Sequence, residues 1–263
     1  MSETHGKYIW AELMTPDKDD AGRFYAHVVG WELKDFGSPE MGYKIFEANG
    51  VGVGGMMELT DEHKAEGIPP NWTRYVAVDD VDASARLFEE KGGKIMRPPF
   101  DIPEVGRMAV VTDPFGAVLC IMTPRPMEGS GSFPKEPQNM NGHVGWNELF
   151  TDDVDRAMAF YGDVFGWVKN RDFDMGEMGP YRIFGYAGHD GKDIGGIMKR
   201  LPQVPVCHWG YYFNVDGLED AITRVSTGGG KVINGPMPVP GDSWIANCQD
   251  PHGAYFSLVS MRK

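Results

Sequence analysis

"WAELMTPDKDDAGRFYAHVVGW" runs from Trp10 to Trp31, and "WNELFTDDVDRAMAFYGDVFGW" runs from Trp146 to Trp167, 136 residues further on. Aligned without a gap, 12 of the 22 positions are identical. The copy extends beyond this stretch. "NWTRYVAVDDVDASARLFEEKGGKIMRPP" from Asn71 pairs with "HWGYYFNVDGLEDAITRVSTGGGKVINGP" from His208, and "TDPFGAVLCIM" from Thr112 pairs with "QDPHGAYFSLV" from Gln249. "GVGGMM" from Gly52 has a looser partner in "DIGGIM" from Asp193. The chain is therefore a tandem repeat, with one unit in 1–123 and the other in 143–263. Between them, 124–142 is rich in Pro, Gly and Ser without apolar periodicity, the composition of a linker.

Inside one repeat the pattern sets the element order. "YIWAELM" alternates like a strand, and Thr15-Pro16 follows as an expected helix start. Ala21, Phe24, Tyr25 and Val28 then recur at helical spacing up to Gly30. "WELKDF", "YKIFEA" and "VGVGGMM" read as three short strands. After a break at "TDEHKAEGIPP" the order restarts. "TRYVAV" is a strand, "DVDASARLFEEKGG" a helix, and "KIMRPP", "RMAVVT" and "AVLCIM" are strands, the last two joined by the tight turn "DPFG". Each repeat is thus strand-helix-strand-strand-strand twice over, and the chain is four βαβββ modules of the α+β class.

Composition bounds the function. The 263 residues carry 25 basic and 38 acidic side chains, a formal charge of −13. That field repels nucleic acid and anionic membrane surfaces and admits a neutral or cationic small molecule. Cys120, Cys207 and Cys248 are odd in number and lack a C-x-x-C spacing, which argues against a disulfide framework and for a reducing compartment. No apolar run is long enough for a signal peptide core or a bilayer span. The expectation is a soluble, cytoplasmic protein, either monomer or homodimer.

The T-x-D-x-x-x-A-x-x-F-Y-x-x-V-x-G-W pattern at Thr15–Trp31 and Thr151–Trp167, the D-P-x-G turns at Asp113–Gly116 and Asp250–Gly253, and the "VAVDDVD" and "FNVDGLED" junctions resemble the vicinal oxygen chelate superfamily. That superfamily contains glyoxalase I, extradiol dioxygenases and bleomycin resistance proteins. More narrowly, the chain resembles the two-unit, glyoxalase-like subgroup often labelled hydroxylase. The resemblance implies two glyoxalase-like units, each a curved, eight-stranded open barrel holding its ligand on the concave face. It also implies a divalent metal held by His, Gln or Glu at four positions. In this sequence those positions carry Trp10, Thr73, Cys120 and the Gly54–Met57 run in the first repeat, and Trp146, Gly210, Ser257 and the Gly195–Met198 run in the second. Indole cannot ligate, and Ser, Thr, Gly and Met are poor ligands for a hard cation. The expectation is a scaffold without its chelate and without a cofactor.

What remains at the implied site is a Trp-x-Glu pair in each repeat. With a strand period of two, Trp10, Glu12 and Met14 share one face, as do Trp146, Glu148 and Phe150. Glu12 and Glu148 are candidate catalytic carboxylates, able to act as a general base or to pair with a cationic ligand. Equally, each can be a buried acid that accepts hydrogen bonds from a neighbouring strand. Trp10, Trp146, Tyr75, Cys120, His208, Tyr212 and Ser257 are candidate ligand contacts. Core packing is the competing role for the indoles and tyrosines, and Cys120 can equally be a small buried hydrophobe. Trp31, Trp167, Phe24-Tyr25 and Phe160-Tyr161 read as helix-to-sheet core. The Gly-Gly pairs read as strand bends or points of close ligand approach, and "RPPFDIPEVGR" and "NGPMPVPGDS" as Pro-rich hairpin loops.

Three functions suit this reading. The first is a metal-independent binder of a small apolar or aromatic molecule. The second is an enzyme, a lactoylglutathione-lyase-like isomerase or an oxygenase/hydroxylase, using a pocket carboxylate or an unrecognised metal site. The third gives one repeat only an interface role. The second repeat, with Trp146, Glu148, His208 and Tyr212, holds the richer set.

Overall fold

The computed structural model describes residues 2–37, 42–125, 140–188 and 191–263. Most of the linker, 126–139, and His189 lie outside the described residues.

The first repeat contains β1 (Tyr8–Thr15), α1 (Lys18–Val29), β2 (Glu32–Phe36), β3 (Tyr43–Ala48), β4 (Val51–Glu58), α2 (Asp61–Ala65), β5 (Asn71–Ala77), α3 (Val81–Glu90), β6 (Lys94–Ile102), β7 (Gly106–Thr112) and β8 (Val118–Pro124). The second contains β9 (Val144–Thr151), α4 (Val154–Phe165), β10 (Trp167–Asp174), β11 (Pro180–Tyr186), β12 (Gly195–Lys199), β13 (His208–Asn214), α5 (Leu218–Thr227), β14 (Lys231–Val239), β15 (Ser243–Gln249) and β16 (Tyr255–Ser260). A single 3-10 turn at Gly176–Met178 separates β10 from β11. The strands form two mixed, open sheets of eight, ordered β2-β3-β4-β1-β5-β8-β7-β6 and β10-β11-β12-β9-β13-β16-β15-β14. Four βαβββ modules are present in the expected order, and neither sheet closes into a barrel. Among the described residues no helix is long and apolar enough to cross a membrane.

Local chemistry corrects several element boundaries. Thr15 ends β1, and the helix cap is Asp17, whose carboxylate accepts the Asp20 amide at 2.9 Å. The second repeat uses Asp153 in the same way toward Arg156 at 3.0 Å. A carboxylate here offsets an orphan amide and faces the positive end of the helix. Gly30 and Gly166 end α1 and α4 in the left-handed region, φ 87° and 72°. The break at "TDEHKAEGIPP" contains the short helix α2, capped by Thr60 and His63. The two Pro-rich stretches are mostly strand rather than loop. β6 and β14 run through them with register shifts at Arg97/Phe100 and Asn234/Met237, where a ladder tolerates a residue lacking an N–H.

The chain divides into two compact units, each drawing on both repeats. The first comprises the described residues of Met1–Ile9, Thr73–Lys135 and Trp146–Gly210; the second those of Trp10–Trp72, Glu136–Gly145 and Tyr211–Lys263. Within the first, Phe88 of α3 meets Phe160 of α4 edge-on at 5.1 Å, and Lys91 pairs with Asp163 at 2.7 Å. Trp167 donates its indole N–H to the Gly6 carbonyl at 2.7 Å. Within the second, Arg224 of α5 donates twice to the Val28 carbonyl at the end of α1, at 3.1 and 3.0 Å. Trp31 donates to the Gly142 carbonyl at 2.7 Å.

One arrangement recurs in both units. The D-P-x-G aspartate folds its own turn, with Asp113 Oδ1 accepting the Phe115 and Ala117 amides and Asp250 Oδ1 accepting those of His252 and Ala254, all at 2.9 Å. Its second oxygen accepts a buried tyrosine hydroxyl from a helix of the other repeat. Tyr161 reaches Asp113 and Tyr25 reaches Asp250, each at 3.1 Å. Each hydroxyl in turn accepts an indole N–H, from Trp209 at 3.0 Å and from Trp72 at 2.8 Å. Tyr25 and Tyr161 are fully buried, as the helical spacing predicts, but the core they join carries a hydrogen-bond chain.

Tyr25→Phe or Tyr161→Phe strands a buried indole N–H and a carboxylate oxygen, so each should cost about 1–3 kcal/mol, read as a lower urea midpoint at unchanged m-value. Burial raises the carboxyls of Asp113 and Asp250 above the ordinary 3.8. The folded state therefore favours their protonated forms, and the stability they contribute is present below 3.8 and lost as pH rises through their folded values. Asp250→Asn, which retains an acceptor for the turn amides, should flatten that part of the curve of urea midpoint against pH.

Candidate functional site

Side chains on β1 alternate between two environments. Ala11, Leu13 and Thr15 are fully buried, while Trp10, Glu12 and Met14 are half-buried on the opposite face. The parallel register sets Leu13 beside Met56 and Glu12 beside Gly55. Met56 lies under α1, its Cε 3.4 Å from where a Cβ on Gly22 would sit, so Glu12 faces away from the helix. Tyr43, from β3, lies over Gly55 on that open face. Trp10 Nε1 donates to the Tyr43 hydroxyl at 2.9 Å, and the hydroxyl donates to Glu12 Oε2 at 2.9 Å.

The second repeat builds the same relay. Glu148 sits beside Gly196 in the β9–β12 register, and Tyr181 comes from β11. Trp146 Nε1 donates to the Tyr181 hydroxyl at 2.8 Å, which donates to Glu148 Oε1 at 2.7 Å. Glu148 is only 8% exposed. A hydroxyl donating to a carboxylate makes a charge-assisted bond, stronger than a neutral one. Burial, and after it the Glu12 charge, push the Tyr43 hydroxyl well above its ordinary value, so it remains a donor at any physiological pH. Each relay is complete within one compact unit.

The double glycines acquire a different role from the one expected of them. An ideal Cβ on Gly55 would lie 1.8 Å from the Tyr43 hydroxyl oxygen, and one on Gly196 would lie 2.3 Å from both Cζ and the hydroxyl oxygen of Tyr181. The preceding glycines face the neighbouring strand, where a Cβ would meet the Ala11 carbonyl at 2.9 Å or the Asn147 carbonyl at 2.3 Å. The second glycine of each pair is thus the seat of a tyrosine ring. Tyr43 and Tyr181 were absent from the sequence-derived candidates. Their trace is the shared "Y-[KR]-I-F" followed by Gly-Gly, blurred because 12 residues separate Tyr43 from Gly55 and 15 separate Tyr181 from Gly196.

The other candidates fall in separate groups. Tyr75 and Cys120 are register partners in β5 and β8, both buried. Tyr212 and Ser257 are register partners in β13 and β16, and Asn247 Nδ2 donates to Ser257 Oγ at 2.9 Å and reaches the Tyr212 hydroxyl at 3.5 Å. His208 opens β13 and stacks on Phe150 of β9, with ring centroids 4.8 Å apart and planes inclined by 14°. Its Nδ1 lies 3.1 Å from the Val206 carbonyl. Burial lowers its imidazole below the ordinary 6.5, and the Arg200 charge adds to that.

The implied metal does not fit these residues. At the first-strand position of each repeat an indole N–H points at a tyrosine oxygen, and the space over the glycine position is filled by the tyrosine ring. The nearby carboxylate already accepts that tyrosine. Among the described residues, no three His, Cys, Asp or Glu side chains are grouped to hold a metal ion.

The steric account is tested by a double-mutant cycle. Gly196→Ala should cost about 1–3 kcal/mol, the usual penalty of overpacking. In a Tyr181→Ala background the same change should cost close to nothing, because the clashing ring is gone. Urea unfolding of the four proteins measures both.

The profile of the Glyoxalase/Bleomycin resistance protein/Dioxygenase superfamily matches residues 7–121 and 142–258. The chain is 35% identical over 253 residues to "Putative glyoxylase CFP32" of Mycobacterium tuberculosis (strain CDC 1551 / Oshkosh), covering 95% of this chain and 93% of that protein. It is 31% identical over 269 residues to the anthracycline biosynthesis protein DnrV of Streptomyces peucetius, covering 98% and 94%. Among solved structures, the Mn(II)-bound glyoxalase from Novosphingobium aromaticivorans superposes with a TM-score of 0.61 at 15% identity, over 99% of this chain and 83% of that one. With its profile matched twice in tandem and four βαβββ modules in two open sheets, the chain belongs to the glyoxalase/bleomycin resistance protein/dioxygenase superfamily.

Proposed function

We propose that this chain binds a small, mostly apolar or aromatic molecule on the open sheet face of its Trp–Tyr–Glu relays, without using the superfamily's metal. The observation that carries this reading is the relay itself, formed by the same three residue types with the same donors and acceptors in both repeats. The positions that would hold a chelate are spent on an indole, a phenol ring and the glycine beneath it. In the second repeat Trp146, Phe150 and His208 are half-buried rings on one face, offering flat apolar area next to a single carboxylate. Apolar walls with a few placed polar groups characterise sites for small organic ligands. A net charge of −13 disfavours anionic ligands. The similarity to an anthracycline biosynthesis protein points the ligand class toward planar polycyclic aromatics.

The test is equilibrium dialysis of the chelator-treated protein against a panel of tricyclic and tetracyclic aromatic compounds. A Kd of about 1 µM, some 8 kcal/mol of binding free energy, is expected for the best of them. Failure of every compound to bind below millimolar concentration would remove the reading. Trp146→Ala should weaken that binding by about 1–3 kcal/mol, roughly 5- to 150-fold, with the unfolding midpoint measured alongside to separate lost contact from lost fold.

A further inference from the structure

We propose that His208 forms a proton-accepting subsite for an aromatic ligand bearing an acidic hydroxyl, a phenol or hydroxyquinone, and that only the second repeat has it. The inference rests on the aromatic-ligand reading above and specifies which ligands the site favours.

Geometry assigns the proton on the imidazole. Val206 presents a carbonyl to Nδ1 at 3.1 Å, and a carbonyl can only accept, so Nδ1 carries the hydrogen. In the neutral ring Nε2 then holds the lone pair. Among the described residues, Nε2 makes no hydrogen bond. The ring cannot turn to hide it, because one face is stacked on Phe150 and the Nδ1–H is tied to the backbone.

The same stack places the subsite. Trp209 next door is buried with the helix-side core and donates to Tyr161, so His208 and Gly210 point to the opposite face of β13. A Cβ on Gly210 would lie 3.4 Å from the Phe150 ring, which puts His208, Phe150 and Glu148 on one face. Along β9, Phe150 is two residues from Glu148, about 7 Å by strand geometry. An aromatic ring lying along that face spans this distance. Among the described residues, the ionisable groups around His208 are Glu148 on the same face, which accepts Tyr181, Cys207 beside it in the chain, and Arg200, which is paired with Asp152 at 2.7 Å. Burial holds the imidazole below the ordinary 6.5, so the ring is neutral in the empty site, and the phenolate formed beside it supplies the opposite charge that the imidazolium requires.

The proton balance is simple. The ligand O–H bond breaks, an Nε2–H bond forms, and the products are a phenolate and an imidazolium held side by side. No electrons move and no co-reactant is needed. The first repeat cannot do this, since Asn71 and Met14 occupy the positions of His208 and Phe150.

The experiment uses the full chain with two probes, alizarin, whose visible band moves to longer wavelength on ionisation, and unsubstituted anthraquinone. Titrations are run at a pH where free alizarin is neutral, with wild type and with His208→Asn, which installs the residue of the first repeat. Wild type should bind both and turn bound alizarin to its anion band. His208→Asn should abolish the band shift and weaken alizarin about tenfold, the worth of one charge-assisted hydrogen bond, leaving anthraquinone within about twofold. An anion band that survives in His208→Asn overturns the assignment of the base. Binding of both probes to wild type without a band shift overturns the subsite but leaves aromatic binding standing. Binding of neither probe overturns the subsite, while the wider aromatic panel decides the reading on which it rests.

Discussion

A phenol hydroxyl buried away from water must find both a donor and an acceptor, and Tyr25 and Tyr161 find theirs in another part of the chain. Each lies on the first helix of its repeat and donates to the D-P-x-G aspartate that closes the other repeat, while an indole donates to it. One oxygen of the aspartate is committed to its turn through two amides, which leaves the second oxygen for the tyrosine. This chain of hydrogen bonds couples the helix letters "FY" to the turn letters "DP-G". It accounts for the recurrence of both motifs twice in one sequence. Neither compact unit can be assembled from a single repeat, because in each unit the helix comes from one repeat and the turn from the other.

The opposite face of the same strands is free of that constraint, and there the relay Trp–Tyr–Glu is built. Helix-side positions of β1 and β9, Ala11, Leu13 and Thr15 on one and Asn147, Leu149 and Thr151 on the other, are buried, so the alternation of the strand leaves the indole and the carboxylate on the open face. A tyrosine two strands away joins them only because the intervening strand carries a glycine at the crossing point. Fold and site are therefore linked through β4 and β12. Met56 and Ile197 face the core, while the adjacent Gly55 and Gly196 face the ring. A side chain on the second glycine would change the site without touching the core.

The two repeats share the relay and differ around it. Where the first has Met14 and Asn71, the second has Phe150 and His208, stacked and with the imidazole tautomer set by a backbone carbonyl. At the D-P-x-G turn the difference is of another kind. His252 pairs with Asp20 in one compact unit, and Arg156 lies over the Phe115 ring at the equivalent place in the other. The helix-side pairs differ in chemistry at equivalent places, whereas the open face of the second repeat carries an imidazole where the first carries an amide.

Period and repetition alone determined the four modules, the element order, the buried helix stripe and the shared strand face of Trp10 with Glu12 and of Trp146 with Glu148; that this is the open face was what the family resemblance implied. Those features depend on neighbours within a few residues and on the two-residue alternation of a strand. Asp17 and Asp153 as helix caps were equally local, yet the Thr-Pro before one of them obscured the pattern. Tertiary structure alone decided that the tyrosines of the relay are Tyr43 and Tyr181, that Gly55 and Gly196 seat them, and that Tyr25 and Tyr161 are satisfied across the repeats. Each of these is a contact between residues from 12 to 225 positions apart in sequence, set by strand register and by which modules share a compact unit. A hydrogen-bond partner at that separation leaves no periodic trace in one sequence, because its position is fixed by the fold rather than by its neighbours in the chain.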